Sequence, residues 1–198
     1  MMHELKPPYD ITCVIFAGGK SSRMGQDKSL LPFGDCETLA EYQYERLSKL
    51  FKKVYISTKE EKFGFDAPLI YDTDHRALYA PTAGFQALFK TLDEARVFVI
   101  SVDTPFITAQ EIEALLNADR ETLDAVIART PSGQHPLCGI YHRSLLPTFE
   151  KMLQEQNHRL GQLLKEADTE YVLFEDEAPF TNLNHPEEYQ QALSRSRG

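Results

Sequence analysis

The strongest constraint on the fold is the run Ile-Thr-Cys-Val-Ile-Phe-Ala at 11–17, which stops abruptly at Gly18-Gly19. β-Branched and aromatic residues that continue without alternation mark a strand buried on both faces, as the inner strands of a parallel sheet are. The run RVFVISV at 96–102 has the same character and leads straight into Asp103. Two such strands need helices above and below them.

The rest of the chain supplies those helices. Ala40, Tyr44, Leu47 and Phe51 recur at helical spacing over 38–51, with Glu45 four residues before Lys49. Further helices are expected at 83–92, 144–155 and 158–167, and from Pro186 onward. Thr108 and Glu111 have the spacing of a capping box opening a helix that runs to about Asn117. Strands are expected at 53–58, 68–72, 124–128, 136–141 and 171–174, with Ser132-Gly133 as a turn. Phe85, Phe89, Phe98 and Phe106 fall on core faces, the acidic stretch 175–177 reads as a solvated loop, and the chain after Leu193 reads as frayed. This alternation predicts an α/β fold with a mostly parallel sheet covered on both faces. Ligands in such sheets sit beyond the carboxyl ends of the strands, so the segments after Ala17 and Val102 are the first places to look for chemistry. With no repeat and no Pro/Gly-rich linker, residues 1–198 read as a single domain.

Charge and cysteine content narrow the function classes. A net charge of −9 argues against grip on a nucleic-acid polymer, which needs a basic face. The longest apolar run is far short of the ~20 residues that cross a bilayer, and the first ten residues lack the apolar core of a secretory signal. Cys13, Cys36 and Cys138 are odd in number, widely spaced and without a C-x-x-C pair, which fits neither a disulfide framework nor a structural zinc site. Cys13 reads as inert core, and the expected compartment is the reducing cytoplasm.

Within this acidic chain the segment AGGKSSRMGQDK (17–28) gathers Lys20, Arg23 and Lys28, with Asp27 its only acid. Glycines let backbone N–H groups approach an anion closely, and the cations neutralise phosphate charge. The P-loop pattern fails because position 14 is Val, and the dinucleotide fingerprint fails at Lys20 and Arg23. An ordinary strand-to-helix turn is the competing reading, though such turns run only ~2–6 residues. Asp103 can hold a hard cation such as Mg²⁺ together with substrate phosphates, or cap the turn before Pro105. Asp72 ends the PLIYD run, where an acid is often a turn former. His135, Asn182 and Asn184 are polar groups near strand and helix starts, open to structural or binding roles.

The segment FAGGKSSRMGQDKSLLPFG (16–34) resembles nucleotidyltransferases that activate phosphorylated acceptors, and looks most like the molybdenum cofactor guanylyltransferases. Their pattern of A-G-G, a spacer, R-M-G and then D-K is met by Gly18, Gly19, Arg23, Met24, Gly25, Asp27 and Lys28. Further likeness lies in SVDTPF (101–106), PTAGFQALF (81–89), QHPLCGIY (134–141) and TNLNHPEEY (181–189). The resemblance implies a three-layer, Rossmann-like domain of the nucleotide-diphospho-sugar transferase type, with a mixed, mostly parallel sheet of about seven strands. The N-terminal part would bind nucleotide and the C-terminal part the acceptor.

The implied activity is transfer of GMP from GTP to the phosphate of molybdenum-bound molybdopterin, with Mg²⁺ as cofactor and pyrophosphate released. Ala17, Gly18 and Gly19 would wrap the triphosphate, Arg23 and Lys28 would neutralise it, and Asp103 would hold the metal. Asp72 and Gly84 would meet the guanosine; His135, Asn182 and Asn184 would meet the acceptor. Proteins of molybdopterin synthesis and apo-molybdoenzymes are the implied protein partners. Thr82 stands where the family more often has Leu, and His185 where it has a Thr helix cap. A relative using CTP or a sugar-phosphate acceptor, and a non-catalytic nucleotide or pterin carrier, are the competing readings.

Overall fold

Successive residues of the first strand, β1 (Thr12–Phe16), feed two separate cores. Cys13 and Ile15 pack with α1 (Leu39–Ser48), α3 (Ala109–Ala118) and α6 (Pro186–Ser196), through residues such as Leu47, Ile112 and Ala192. Val14 and Phe16 pack with α2 (Pro81–Thr91), α4 (Leu146–Gln154) and α5 (Leu160–Glu166), through Phe85, Phe149 and Leu163. The uninterrupted apolar run thus follows from a strand covered on both sides. The computed structural model describes residues 6–18, 26–72 and 80–196. They form one α/β domain of three layers.

The remaining strands are β2 (Val54–Thr58), β3 (Leu69–Tyr71), β4 (Arg96–Ser101), β5 (Ala125–Thr130), β6 (Gly133–His142) and β7 (Thr169–Leu173). The sheet has seven strands in the order β3-β2-β1-β4-β6-β5-β7. β1 pairs in parallel with both β2 and β4, so the chain winds outward to β3 and then returns across β1. That reversal opens a crevice at the carboxyl ends of β1 and β4. The Ala17 amide donates to the Ser57 carbonyl (2.9 Å) and the Val102 amide to that of Phe16 (3.0 Å), which keeps these ends level.

β6 runs antiparallel to both β4 and β5, and β7 is parallel to β5. The sheet is therefore mixed and mostly parallel, as expected. The β5–β6 hairpin turns at Pro131-Ser132, and Gly133 has φ +138°, a conformation that favours glycine. Ile127 pairs with Gly139 but Ala128 with His135, so residues 136–138 bulge away from β5 beside the end of β4.

Several boundaries differ from expectation. α1 stops at Ser48 because Phe51 leaves it to bridge Tyr9 and stack on Phe98 at 5.2 Å. The turn expected at Ser132-Gly133 lies one residue earlier, and β6 begins at 133 rather than 136, since hairpin pairing extends both strands. α2 starts at Pro81, which suits a first helical position with its fixed φ and missing N–H. α6 continues past Leu193 to Ser196, with the Arg195 guanidinium 5.7 Å from the Phe106 ring. The Thr108–Glu111 capping box forms as read. Phe85, Phe89 and Phe98 are buried and Phe106 is partly so. Cys13 and Cys138 are buried free thiols, and burial pushes that of Cys138 up to about 12. No helix among the described residues is long and apolar enough to cross a membrane.

Candidate active site

The segment after β4 is pinned from below by α1. Gln43 is fully buried, and its Nε2 donates to the carbonyls of Ser101 (3.3 Å) and Val102 (3.1 Å). Its Oε1 accepts from Arg46 Nε (2.6 Å), and Arg46 Nη1 reaches the Ile107 carbonyl at 2.5 Å. From above, the Leu183 amide donates to the Asp103 carbonyl (3.0 Å). Asp103 is thus held by contacts distant in sequence, with its carboxylate at the mouth of the crevice.

Among the described residues, that carboxylate has two partners. Oδ1 accepts from Ser101 Oγ (2.7 Å), and Oδ2 pairs with Lys28 Nζ at 2.6 Å. The same ammonium donates to Asn184 Oδ1 at 2.9 Å. Lys28 opens a short 3₁₀ turn, Lys28–Leu30, capped by Asp27, which accepts from Ser29 N (3.0 Å) and Ser29 Oγ (2.6 Å). Burial alone would raise the Asp27 carboxyl, but Lys62 and Ser29 outweigh it and hold the group below the usual range.

Beside Asp103, the residues Ser101, Gln134, His135, Phe180 and Asn182 join it in bordering a cleft of about 270 Å³. It adjoins a second, of about 260 Å³, to which Thr130, Glu177, Asn184 and Glu188 contribute. His135, Phe180 and Asn182 line both. The His135 ring lies 4.9 Å from Phe180, and its Nε2 is 2.9 Å from Thr130 Oγ1. Burial lowers its pKa more than nearby Glu177 raises it, which favours the neutral imidazole. With His185 at the place of the family's Thr cap, Glu188 does the capping: its Oε2 accepts from the amides of Asn184 (2.7 Å) and His185 (2.9 Å). The acidic 175–177 stretch is exposed, but Glu177 also accepts from the Ser132 amide at 2.7 Å.

Lys28, Asp103, His135, Asn182 and Asn184 thus come together around the crevice. Ala17 follows β1 beside it, and, its chain neighbours aside, no described atom lies closer than 3.9 Å to where a side chain on Gly18 would begin. Asp72 ends β3, buried, with Lys59 Nζ 2.9 Å from its Oδ2. Gly84 serves a close approach within the protein: a Cβ there would stand 2.6 Å from Phe16 Cε1. Gly19, Lys20, Arg23, Met24 and Gly25 lie outside the described residues.

Four contributors escaped the sequence reading. Gln43 interrupts the apolar stripe between Ala40 and Leu47, a signal that could have flagged it. Lys59, Lys62 and Phe180 carry none, because their partners are remote in the chain. Among the described residues, no three His, Cys, Asp or Glu side chains converge. A single carboxylate beside Lys28 does not make a zinc or calcium cage, but its chemistry fits Mg²⁺, which takes its other ligands from phosphates and water.

Three kinds of comparison bear on this arrangement. Residues 13–170 match the family model described as a MobA-like NTP transferase domain. A molybdenum cofactor guanylyltransferase of Campylobacter jejuni is 41% identical over 188 residues, covering 95% of this chain and 98% of that protein. One from Helicobacter pylori is 37% identical over 189 residues, with 93% and 92% covered. Among solved structures, a molybdopterin-guanine dinucleotide biosynthesis protein A from Archaeoglobus fulgidus aligns with TM-score 0.79 at 20% identity, over 93% of this chain and 98% of that one. At that identity the match speaks for the fold.

Proposed function

Because the chain belongs to the MobA-like NTP transferase family, we propose that it transfers GMP from GTP to the phosphate of molybdenum-bound molybdopterin. The observation that carries this reading is the position of Lys28. One ammonium touches both Asp103, at the end of β4, and Asn184, at the start of α6. Lys28 at the end of the glycine-rich segment, the acid suited to a metal and the motif before α6 therefore meet at one ammonium, which supports the reading.

The chemistry asks little of the protein beyond placement and charge. An acceptor phosphate oxygen attacks the α-phosphorus of GTP; the new O–P bond forms as the bond to the bridging oxygen breaks, and pyrophosphate leaves with the electron pair. The nucleophile is already anionic, so no general base is required. Lys28 neutralises the phosphates, and the cleft around His135, Phe180 and Asn182 orients the acceptor and excludes water. Asp103 would hold Mg²⁺, which when bound withdraws charge from the phosphates. Asp72 and the N-terminus of α2 would face the nucleoside.

The test is incubation with GTP, Mg²⁺ and molybdenum-loaded molybdopterin, followed by mass analysis for the guanine dinucleotide and assay of pyrophosphate. Competition among GTP, CTP, UTP and ATP fixes the nucleotide. Preferred use of CTP, or no pyrophosphate with any of the four, overturns the reading.

A further inference from the structure

We propose that Lys62 is a positioning residue for the nucleotide: its ammonium ties together the two ends of the glycine-rich segment and cancels the charge of Asp27, so that the carboxylate beside Lys28 does not oppose phosphate. The inference rests on the nucleotide reading above and assigns a role to a residue outside the family-like motif. Lys62 lies in the connection between β2 and β3, on the opposite side of β1 from Asp103. Its Nζ donates to the Ala17 carbonyl at 3.1 Å and to Asp27 Oδ2 at 2.5 Å. Ala17 is the last residue before Gly18, and Asp27 the last before Lys28. A single ammonium thus bridges the start and the end of the segment that joins them.

The burial of this contact gives it weight. The Lys62 side chain is only 13% exposed and that of Asp27 32%, so solvent screens the pair weakly. Asp27 is the only acid in the 17–28 segment. It is needed where it stands, because it caps the turn that presents Lys28. An ionised carboxylate one residue from a phosphate-binding lysine opposes a triphosphate unless something offsets it. Lys62 offsets it from the far side, while Lys28 remains directed at Asp103 and Asn184. A lysine placed merely for solubility would extend into water; this one points inward to a carbonyl and a carboxylate.

The experiment measures GTP binding by calorimetry, with Mg²⁺ and without acceptor, and then the steady-state constants. The variants are Lys62→Met, Lys62→Arg and the double variant Lys62→Met/Asp27→Asn. An uncompensated like charge at this range should weaken GTP binding by Lys62→Met about tenfold. The loss should appear in KM for GTP and not in kcat. Lys62→Arg keeps the charge and should bind close to the wild-type level. The double variant removes both charges, keeps a capping side chain at 27, and should recover most of the affinity. Unchanged binding by Lys62→Met overturns the proposal. So does a double variant that stays as weak as the single one, since a tether broken twice is not repaired by removing a charge. If Lys62→Met does not fold, the other two variants, whose charges balance, still decide: loss of GTP binding in both overturns it. Wild-type protein that binds no GTP removes the nucleotide reading itself, a different result from wild type and Lys62→Met binding equally.

Discussion

Lys28 Nζ stands 2.6 Å from Asp103 Oδ2, with both side chains more than four-fifths buried. If Asp103 holds Mg²⁺ as proposed, its charge is what matters there. Asp103→Asn keeps the shape and removes the charge. Turnover should fall by about 10²–10³, the usual cost of losing a group that stabilises charge in the transition state. The fold should persist, because Lys28 retains its bond to Asn184. Steady-state rates checked against circular dichroism and melting temperature decide this, and near-normal turnover excludes Asp103 from the metal role.

Gln43→Leu tests the support beneath Asp103. The substitution leaves the Val102 carbonyl and the Arg46 Nε without their partner in a buried place, while the Ser101 carbonyl keeps its bond from Thr104 Oγ1. Unsatisfied groups of this kind cost roughly 1–3 kcal/mol each before relaxation, so a loss of about 2–4 kcal/mol is expected. Urea denaturation measures it; a change below about 0.5 kcal/mol, within the range of ordinary surface substitutions, would show that the network is not holding the segment.

Gly84→Ala places a methyl group 2.6 Å from Phe16 Cε1. Phe16 is confined, its ring 4.9 Å from that of Phe85, so it has little room to yield. Overpacking costs about 1–3 kcal/mol, while better helix propensity returns at most about 1 kcal/mol. A net loss of stability is expected, with a higher KM for GTP because Phe16 leads directly into Ala17. Equal stability and equal KM would show that the helix can shift without consequence.

Stability should fall as the pH drops below the ordinary histidine value of 6.5. Burial lowers the pKa of His135, and burial together with the Arg96 guanidinium lowers that of His142. The unfolded chain therefore takes up protons that the native state does not, and the native state loses ground as pH falls through that window. His142 Nε2 lies 2.8 Å from Asp119 Oδ1, toward which the ring donates. Urea midpoints between pH 7.5 and 5 should decline in the wild type and less steeply in His142→Gln. A flat wild-type profile would mean that neither imidazole is held neutral.

Much of this molecule is legible locally. The unbroken runs at 11–17 and 96–102 became the central pair β1 and β4, and the Thr108–Glu111 spacing became a formed capping box. Lys28 and Asp103 were readable as candidates because a cation after a glycine-rich turn and a carboxylate at a strand's end carry a chemical signature, whereas His135, Asn182 and Asn184 were picked out by the family resemblance. The helix expected to reach Phe51 stopped early because the pull on that ring comes from Tyr9 and Phe98, neither of them a helical neighbour.

The alternation of apolar and amphipathic segments is a property of nearest neighbours along the chain, so the elements, the α/β class and the crevice-side residues were determined by the sequence alone. The reversed direction of β6, the burial of Gln43 beneath Asp103 and the reach of Lys62 to Asp27 were decided only by the tertiary structure. Each depends on a partner tens of residues away, and a hydrogen bond or ion pair across such a gap exists only once packing has set the distance.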